Sequence, residues 1–521
     1  MCPCVARVMS QASNADASPP LTARTWAGFA AMCTGMFMAI LDIQIVATSL
    51  PTIQGALGVP AALMSWVQTA YLIAEVVAIP LTGFLTRVLS MRWLFVMATG
   101  VFTLASMGCA TSDSFATLVA WRVLQGFSGG TLIPAVFSAV FLLFPAERQS
   151  VATMIAGVLA VLAPTVGPIV GGWITETYSW HWLFLINILP GITAAILASL
   201  LLPPAPVRLD EVRTLDILSL ALMATALAAL EVALKEAPAR GWTAGPVIGL
   251  LLVSVVSLAG FIIRTCKARH PIVNLGSFAQ PSFAIGCVLS FVLGIGLFGS
   301  VYLMPVFLAF VRHHNALEIG AIMLVTGVAQ LLMAPVAVAL EQRLGARMLT
   351  AAGFGLFAIG LGLSARQTPQ TDFAEMFWPQ VIRGLAIMFC LLPPTRLALG
   401  DLHKALVADA SGLFNLMRNL GGAIGIALID TVIYSRSPTH AANLTRCLLA
   451  GDIKTAKLIG LSPDIALDAA AQTKIASLIE TAALTQAIND AWGMIAVLTI
   501  AALVCVPFAK KWSVQSARPI G

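Results

Sequence analysis

About fourteen stretches of this chain are apolar over the ~20 residues that a helix needs to cross a bilayer. No other feature restricts the fold as much. In hydrocarbon, every backbone N–H and C=O must find its partner inside the protein, so a chain with this many spans folds as a helical bundle. Only 10% of its 521 residues are charged and 59% are hydrophobic. Soluble domains average about 25% charged residues, so the polar surface for a soluble core of this size is missing. The expected fold class is an all-α polytopic membrane protein. The formal net charge of +6 fits basic loops at a membrane surface and gives no argument for a nucleic-acid partner. Nine cysteines show no metal-ligand or redox spacing, and no metal or cofactor is expected. Residues 1–25 carry Arg7 and Arg24 but no long apolar core, so no cleaved signal peptide is expected.

The spacing of the spans sets the expected organisation. A tail over residues 1–25 precedes a six-helix half at 26–202. A linker at 203–281 holds two inserted spans. A second six-helix half follows at 282–508, with a long outside loop at 435–488 and a tail at 509–521. The later part of that loop, Ile465 to Asn489, is rich in Ala, Leu and Ile and reads as an external amphipathic helix. Weak repetition supports the two halves. The fourth span carries Arg122 and reaches Pro134, whereas the twelfth carries Arg383 and reaches Pro393-Pro394. Two similar helical halves are a common build for a transporter that opens alternately to each side. Short segments on one side hold Arg87, Arg92, Arg148, Arg264, Lys267, Arg343 and Arg347, whereas the short loops opposite hold only Lys235, Arg240, Arg312 and Arg366. By the positive-inside rule this places both termini in the cytoplasm.

Ionisable groups inside spans are costly, so each is a functional candidate. Asp42 lies in the first span, Glu75 in the second, Arg122 in the fourth, and Arg383 and Arg418 in the second half. Arg122, Gln125, Gly126, Gly129 and Gly130 share one polar, small face of a helix. Asn415, Arg418, Asn419 and Gly422 repeat that pattern in the thirteenth span, where the amides serve equally as ligand contacts or as ties between helices. From the span ends, Asp42 and Arg122 fall at compatible depths in the outer third of a ~30 Å core. A pair there acts either as a proton carrier or as a fixed structural bridge. A carboxyl group in low dielectric with a movable arginine changes its protonation as helices shift. No phosphate-binding loop, zinc cluster or paired catalytic groups occur in the sequence, and an enzyme is not expected.

The fifth span holds Ala163-Pro164-Thr165-Val166-Gly167-Pro168-Ile169-Val170-Gly171-Gly172. Ala163, Gly167 and Gly171 form a stripe four residues apart that lets another helix approach closely. Pro164 and Pro168 each remove a backbone donor and favour a kink. The stripe serves either as ordinary packing or as a seal between the two halves.

With these residues in place, the chain resembles the 14-helix drug:proton antiporters of the major facilitator superfamily, the EmrB/QacA type. Gly167, Pro168, Gly171 and Gly172 match the antiporter motif of the fifth span. Leu41-Asp42-Ile43-Gln44 through Pro51-Thr52-Ile53 matches the first-span signature, and Arg122-Val123-Leu124-Gln125-Gly126 the fourth-span one. Phe414-Asn415 through Arg418 and Gly425 resembles the thirteenth-span element. The resemblance implies a major facilitator fold of two six-helix halves plus two inserted helices. It implies proton-coupled efflux of amphipathic or cationic organic compounds across the cytoplasmic (inner) membrane. It also implies roles for Asp42 and Arg122 in proton coupling, and a periplasmic adaptor and outer-membrane channel as candidate partners. Glu75 rests on its position alone. A dedicated exporter of one metabolite, such as an amino acid, fatty acid or siderophore, is the alternative, and a transport-inactive receptor or scaffold a weaker one. The loop after the second span departs from the family pattern. Arg87 stands where the gating motif has Asp, and Ser90 where it has Gly, so no carboxylate lock to a neighbouring helix is expected there.

Overall fold

The computed structural model describes residues 22–60, 64–268, 271–450, 452–458 and 469–508. The expected terminal tails, up to residue 21 and from 509, and the tip of the 435–488 segment lie outside the described residues.

Among the described residues the regular structure is entirely helical. The first half comprises α1 (Ala23–Leu57), α2 (Trp66–Ala110), α3 (Phe115–Leu143), α4 (Ala146–Thr177), the short α5 (Trp182–Leu185) and α6 (Ile188–Leu201). The inserted pair is α7 (Ile217–Arg240) and α8 (Gly245–Lys267). The second half comprises α9 (Pro281–Phe310), α10 (Ala316–Leu344), α11 (Ala346–Ser364), α12 (Phe373–Leu399), α13 (Lys404–Leu449), α14 (Ile453–Leu458) and α15 (Ala469–Ala501).

Among the described residues, thirteen helices are long and apolar enough to cross a membrane. One of them, α2, has 45 residues. At 1.5 Å per residue that is about 68 Å, twice the ~30 Å core. It turns back at Ser90, whose φ of 66° and ψ of 159° are non-helical. The chain therefore makes fourteen passes, in agreement with the sequence. Ser90 occupies a backbone region that is essentially glycine-only and costs of order 1–3 kcal/mol. With fourteen passes, the described chain starts and ends on one face, here called the terminal face.

Helix five of each half packs on helix two of the other. Thus α4 meets α10, and α13 meets the first leg of α2. Of the inserted pair, α7 packs on α2 and α13, and α8 packs on α7. Leu252, Val255 and Val256 on α8 are at least 60% exposed, as expected where the surrounding medium is hydrocarbon rather than water.

The 435–488 segment differs from the expected loop. Helix α13 runs unbroken for 46 residues, so its last turns project beyond the core on the far face. Helix α15 returns beside it, and Leu444, Ile479, Ala482 and Ala483 form a small core between the two arms. Pro438, together with nearby Ser, Thr and Asn, suggests a break in sequence, yet it lies inside the helix. The proline removes only the bond to the carbonyl of Tyr434, a residue 60% exposed, where solvent meets the orphaned acceptor.

On the terminal face the halves are tied by polar contacts. Ser150 of α4 donates to Glu341 of α10 at 2.8 Å and accepts from Arg396 of α12 at 2.6 Å. Arg87, between the two legs of α2, pairs with Asp409 of α13 and also donates to the carbonyl of Ile272 at 3.1 Å. A lock is thus present with reversed polarity: the cation sits in the first half and the carboxylate comes from α13. The sequence expectation failed because it examined one side of the contact only. Asp409 is buried whereas Arg87 is about one-third exposed, so solvent screens part of the attraction. Arg87→Gln and Asp409→Asn, alone and combined, should reveal a stability coupling of about 0.5–3 kcal/mol in thermal or denaturant unfolding of the purified protein. Strict additivity would show that the contact carries no energy.

Candidate functional site

The first half buries a charged cluster at the meeting of four helical segments. Helix α3 begins at Ser114, which caps it by accepting from the N–H of Thr117. Two turns on, Arg122 and Gln125 point to one side. Arg122 Nη1 donates to Asp42 Oδ2 at 2.5 Å and to Gln125 Oε1 at 2.6 Å, and its Nε donates to the carbonyl of Val67 at 3.3 Å. Gln125 Nε2 donates to Asp42 Oδ1 at 3.0 Å and to Ser106 Oγ at 2.8 Å. Asn187 Nδ2 donates to the same Asp42 oxygen at 2.7 Å. Asp42 and Arg122 are both 0% exposed, so neither charge reaches lipid or water.

The chain bends its local structure to build this cluster. The sixth pass is interrupted between α5 and α6 at Asn187, whose side chain makes no cap for α6 and turns to Asp42 instead. Gly126 faces the backbone of Tyr71, where a Cβ would collide. That close approach sets the Tyr71 ring 4.2 Å from the Arg122 guanidinium, a cation–π contact. Every polar partner of Asp42 is an N–H donor, which fits a carboxylate and offers no acceptor to a carboxylic acid. Taking two charges out of water costs several kcal/mol per ion, and such a pair persists only when its remaining hydrogen-bond capacity is met. Here both oxygens of Asp42 accept, through three bonds in all, and Arg122 keeps one unpartnered nitrogen, Nη2.

The structure brings together Asp42, Arg122 and Gln125, as the depth argument anticipates. It does not join Glu75 to them. Glu75 lies one turn from Tyr71 on α2, is 5% exposed and makes no hydrogen bond or ion pair with a described residue. Asn187, Ser106 and Tyr71 are members that sequence reasoning missed. A single amide in the apolar run Phe184–Ile188 was the available signal for Asn187.

The glycine stripe of α4 faces a different neighbour from the one expected. Gly167 packs on Gln44 of α1, inside the same half, and a Cβ there would overlap that side chain. The seal between halves uses another face of α4, where Ile169 and Thr165 meet Gly320 and Gly327 of α10. Gly171 and Gly172 are buried, and Pro164 and Pro168 leave α4 one continuous helix.

In the second half, Asn415 donates to the carbonyl of Ser411 in its own helix at 2.9 Å, a helix-internal role. Arg383 and Arg418 are 3% and 7% exposed. Arg383 lies 4.7 Å from the Trp492 ring, and Arg418 lies 5.5 Å from Phe137 and 5.4 Å from Phe414. A cavity of about 20 Å³ lies between α4, α9, α10 and α12, with Arg383, Gln380, Thr326 and Thr165 on its wall.

Comparison with known proteins bears on this arrangement. The family model described as "Major Facilitator Superfamily" matches residues 32–426. The chain is 38% identical over 427 residues to the colistin resistance protein EmrB of Acinetobacter baumannii, covering 81% of this chain and 83% of that protein. It is 31% identical over 417 residues to the multidrug export protein EmrB of Escherichia coli (strain K12), covering 80% and 81%. The crystal structure of the human organic anion transporter MFSD10 superposes with a TM-score of 0.59 at 14% identity, covering 93% of this chain and all of that one, a likeness of fold alone.

Gly167→Leu should insert and accumulate normally yet lose export, because a side chain at that position pushes α4 off α1 two residues from Asp42. Overpacking of this kind costs about 1–3 kcal/mol. Membrane abundance and substrate flux, measured side by side, check it; full export at normal abundance rejects it.

Proposed function

Because the chain belongs to the major facilitator superfamily, among its EmrB-type drug exporters, we propose that it exports amphipathic organic compounds from the cytoplasm in exchange for protons. The reading places the protein in the cytoplasmic membrane with the terminal face inward, as the Lys and Arg asymmetry of the short loops favours. Multidrug breadth, rather than a single metabolite, is favoured by the names of its relatives.

The observation that carries the proton-coupled reading is the fully buried Asp42–Arg122 pair, in which both Asp42 oxygens accept hydrogen bonds. Proton-coupled transport needs a group that changes charge between two packings of the halves. Asp42 is held as a carboxylate by donors from two other helical segments, α3 and the α5–α6 break, and Ser106 on the second leg of α2 orients two of them by accepting from Gln125 and Asn187. Moving any of these removes donors from an oxygen that has no water to replace them. The carboxylate then takes a proton, and Arg122 is released to other partners. A proton entering from one face and leaving to the other completes one cycle of exchange. Glu75, buried and unpartnered, is a second station for the proton.

Asp42→Asn mimics the protonated acid. Per molecule inserted, pH-gradient-driven efflux in inverted vesicles should fall to background. An unpaired Arg122 destabilises by about 3–5 kcal/mol where a buried pair is broken, so the double variant Asp42→Asn/Arg122→Gln is measured too. Uphill transport driven by a pH gradient in the double variant would assign the pair a purely structural role and move attention to Glu75.

The helical hairpin on the far face suits an envelope adaptor, which would hand substrate to an outer-membrane channel. Its two arms already pack on each other through Leu444 and Ile479, so it projects as a formed surface. Deleting residues 444–483 should impair efflux from whole cells and spare exchange in vesicles; equal loss in both assays counts against a partner.

A further inference from the structure

The two halves repeat an arginine in the same helix, but only one of the two has an acid. Arg122 lies in helix four of the first half and meets Asp42 from helix one. Arg383 lies in helix four of the second half, α12, and helix one of that half, α9, contains no Asp or Glu. Arg383 is 3% exposed and makes no hydrogen bond or ion pair with a described residue. Its Nε is an orphan, as is the Nε2 of Gln380 one turn earlier on α12, a residue that is 0% exposed. Gln380 is fixed in orientation by Thr326, which donates to its Oε1 at 3.2 Å and leaves the amide N–H groups free. The Trp492 ring backs the guanidinium, a contact that holds the plane while leaving its N–H fork unsatisfied.

Arg383 and Gln380 both line one cavity, the one between α4 of the first half and α9, α10 and α12 of the second. Its remaining wall is apolar or hydroxylic, with Met304, Met323, Ile387, Ser300 and Thr165. At about 20 Å³ it has room for little more than one water. The cavity lies on the seam of the two halves, so it widens when they part. Met304 also borders a cleft of about 230 Å³ beside Arg366 at the α11–α12 connection, on the far face.

A guanidinium is permanently charged and offers a planar fork that matches a carboxylate. Buried orphan donors are destabilising, charged ones most of all, and a ligand that supplies acceptors recovers that cost. A cationic substrate would instead bring a second positive charge to a site with no acid. We propose that this cavity is the head-group site for organic anions: Arg383 and Gln380 receive the carboxylate or equivalent anionic end of an amphipathic substrate, while the methionine-lined wall takes its apolar body. The inference rests on the exporter reading and narrows its substrate class toward weak organic acids and away from cations.

The test uses three probes with one shape: 1-naphthoate, its neutral amide 1-naphthamide, and 1-naphthylmethylammonium. Binding to the purified full-length protein is measured by equilibrium dialysis. The wild type should bind 1-naphthoate at least about tenfold more tightly than either other probe. Arg383→Gln should level the three affinities, and Gln380→Leu should weaken 1-naphthoate severalfold with the charge retained. Arg383→Lys replaces the fork by a point charge, so it should keep the ranking and lower the preference. If Arg383→Gln fails to fold, judged by its thermal unfolding, Arg383→Lys decides. Equal affinities in the wild type, tighter binding of the cation, or a preference unchanged in the Arg383 variants overturns the proposal. Flux of the probes in proteoliposomes separates this outcome from failure of the exporter reading. Gradient-driven transport of the cation without preference for the anion defeats the head-group site alone. Anion binding at Arg383 with no gradient-driven flux of any probe defeats the exporter reading alone.

Discussion

A charge inside hydrocarbon has no water to fall back on, and the layout of this molecule follows from how each intramembrane charge is answered. Asp42 and Arg122 answer each other and recruit Gln125, Asn187 and Ser106 until every Asp42 oxygen is occupied. The cost of desolvating two ions is offset only by such saturation. It explains why the sixth pass breaks at Asn187 and why α3 carries glycine where it crosses Tyr71. The helices of the first half are placed as much by the needs of two charged groups as by apolar packing. Lipid tails are as apolar as leucine and give helices little reason to choose one neighbour over another.

The repeat between the halves makes the chemistry of the second half informative. Helix five crosses helix two of the opposite half in both cases, so the architecture is symmetric. The charges are not. The first half pairs its helix-four arginine with an acid, whereas the second leaves Arg383 and Arg418 against aromatic rings. A cation–π contact is worth about 0.5–2 kcal/mol, well below what a desolvated guanidinium needs. The first half answers its helix-four arginine with an acid of its own, whereas the second leaves its arginine open to a partner that the described residues do not contain.

The spans, their number and the meeting of Asp42 with Arg122 were legible in the sequence, because apolar length and depth along a helix are one-dimensional properties. What escaped was whatever depends on azimuth or on a distant partner. The stripe of Ala163, Gly167 and Gly171 marks a close-packing face of α4, but period alone does not say that the neighbour is Gln44 of α1 rather than the other half. Arg87 looked like the loss of a lock because its complement, Asp409, lies 322 residues away in sequence. Asn187 sat unremarked in an apolar run since an isolated amide gives no sign of what it binds. The projecting hairpin was hidden by Pro438, whose single lost hydrogen bond is affordable at an exposed helix surface and would not be in the core.

Helix α4 touches both charged centres through different faces. Its Gly167 rests on Gln44, two residues from Asp42, while Thr165 and Val161, two and six residues earlier, line the cavity that holds Arg383. Pro164 and Pro168 lie between and beside these contacts, yet the helix continues without interruption from Ala146 to Thr177. Close-packed interiors do not deform continuously but switch between discrete packings. A displacement of α1 at Gln44 therefore bears on α4 as a body. The wall beside Arg383 moves with it. Energetic coupling between two sites needs an element with two arrangements that both sites bias, and α4 is the element in contact with both. With Asp42 as the proposed proton carrier and Arg383 as the proposed head-group site, the proton and the substrate would compete through the seating of one helix without having to meet in a single cavity.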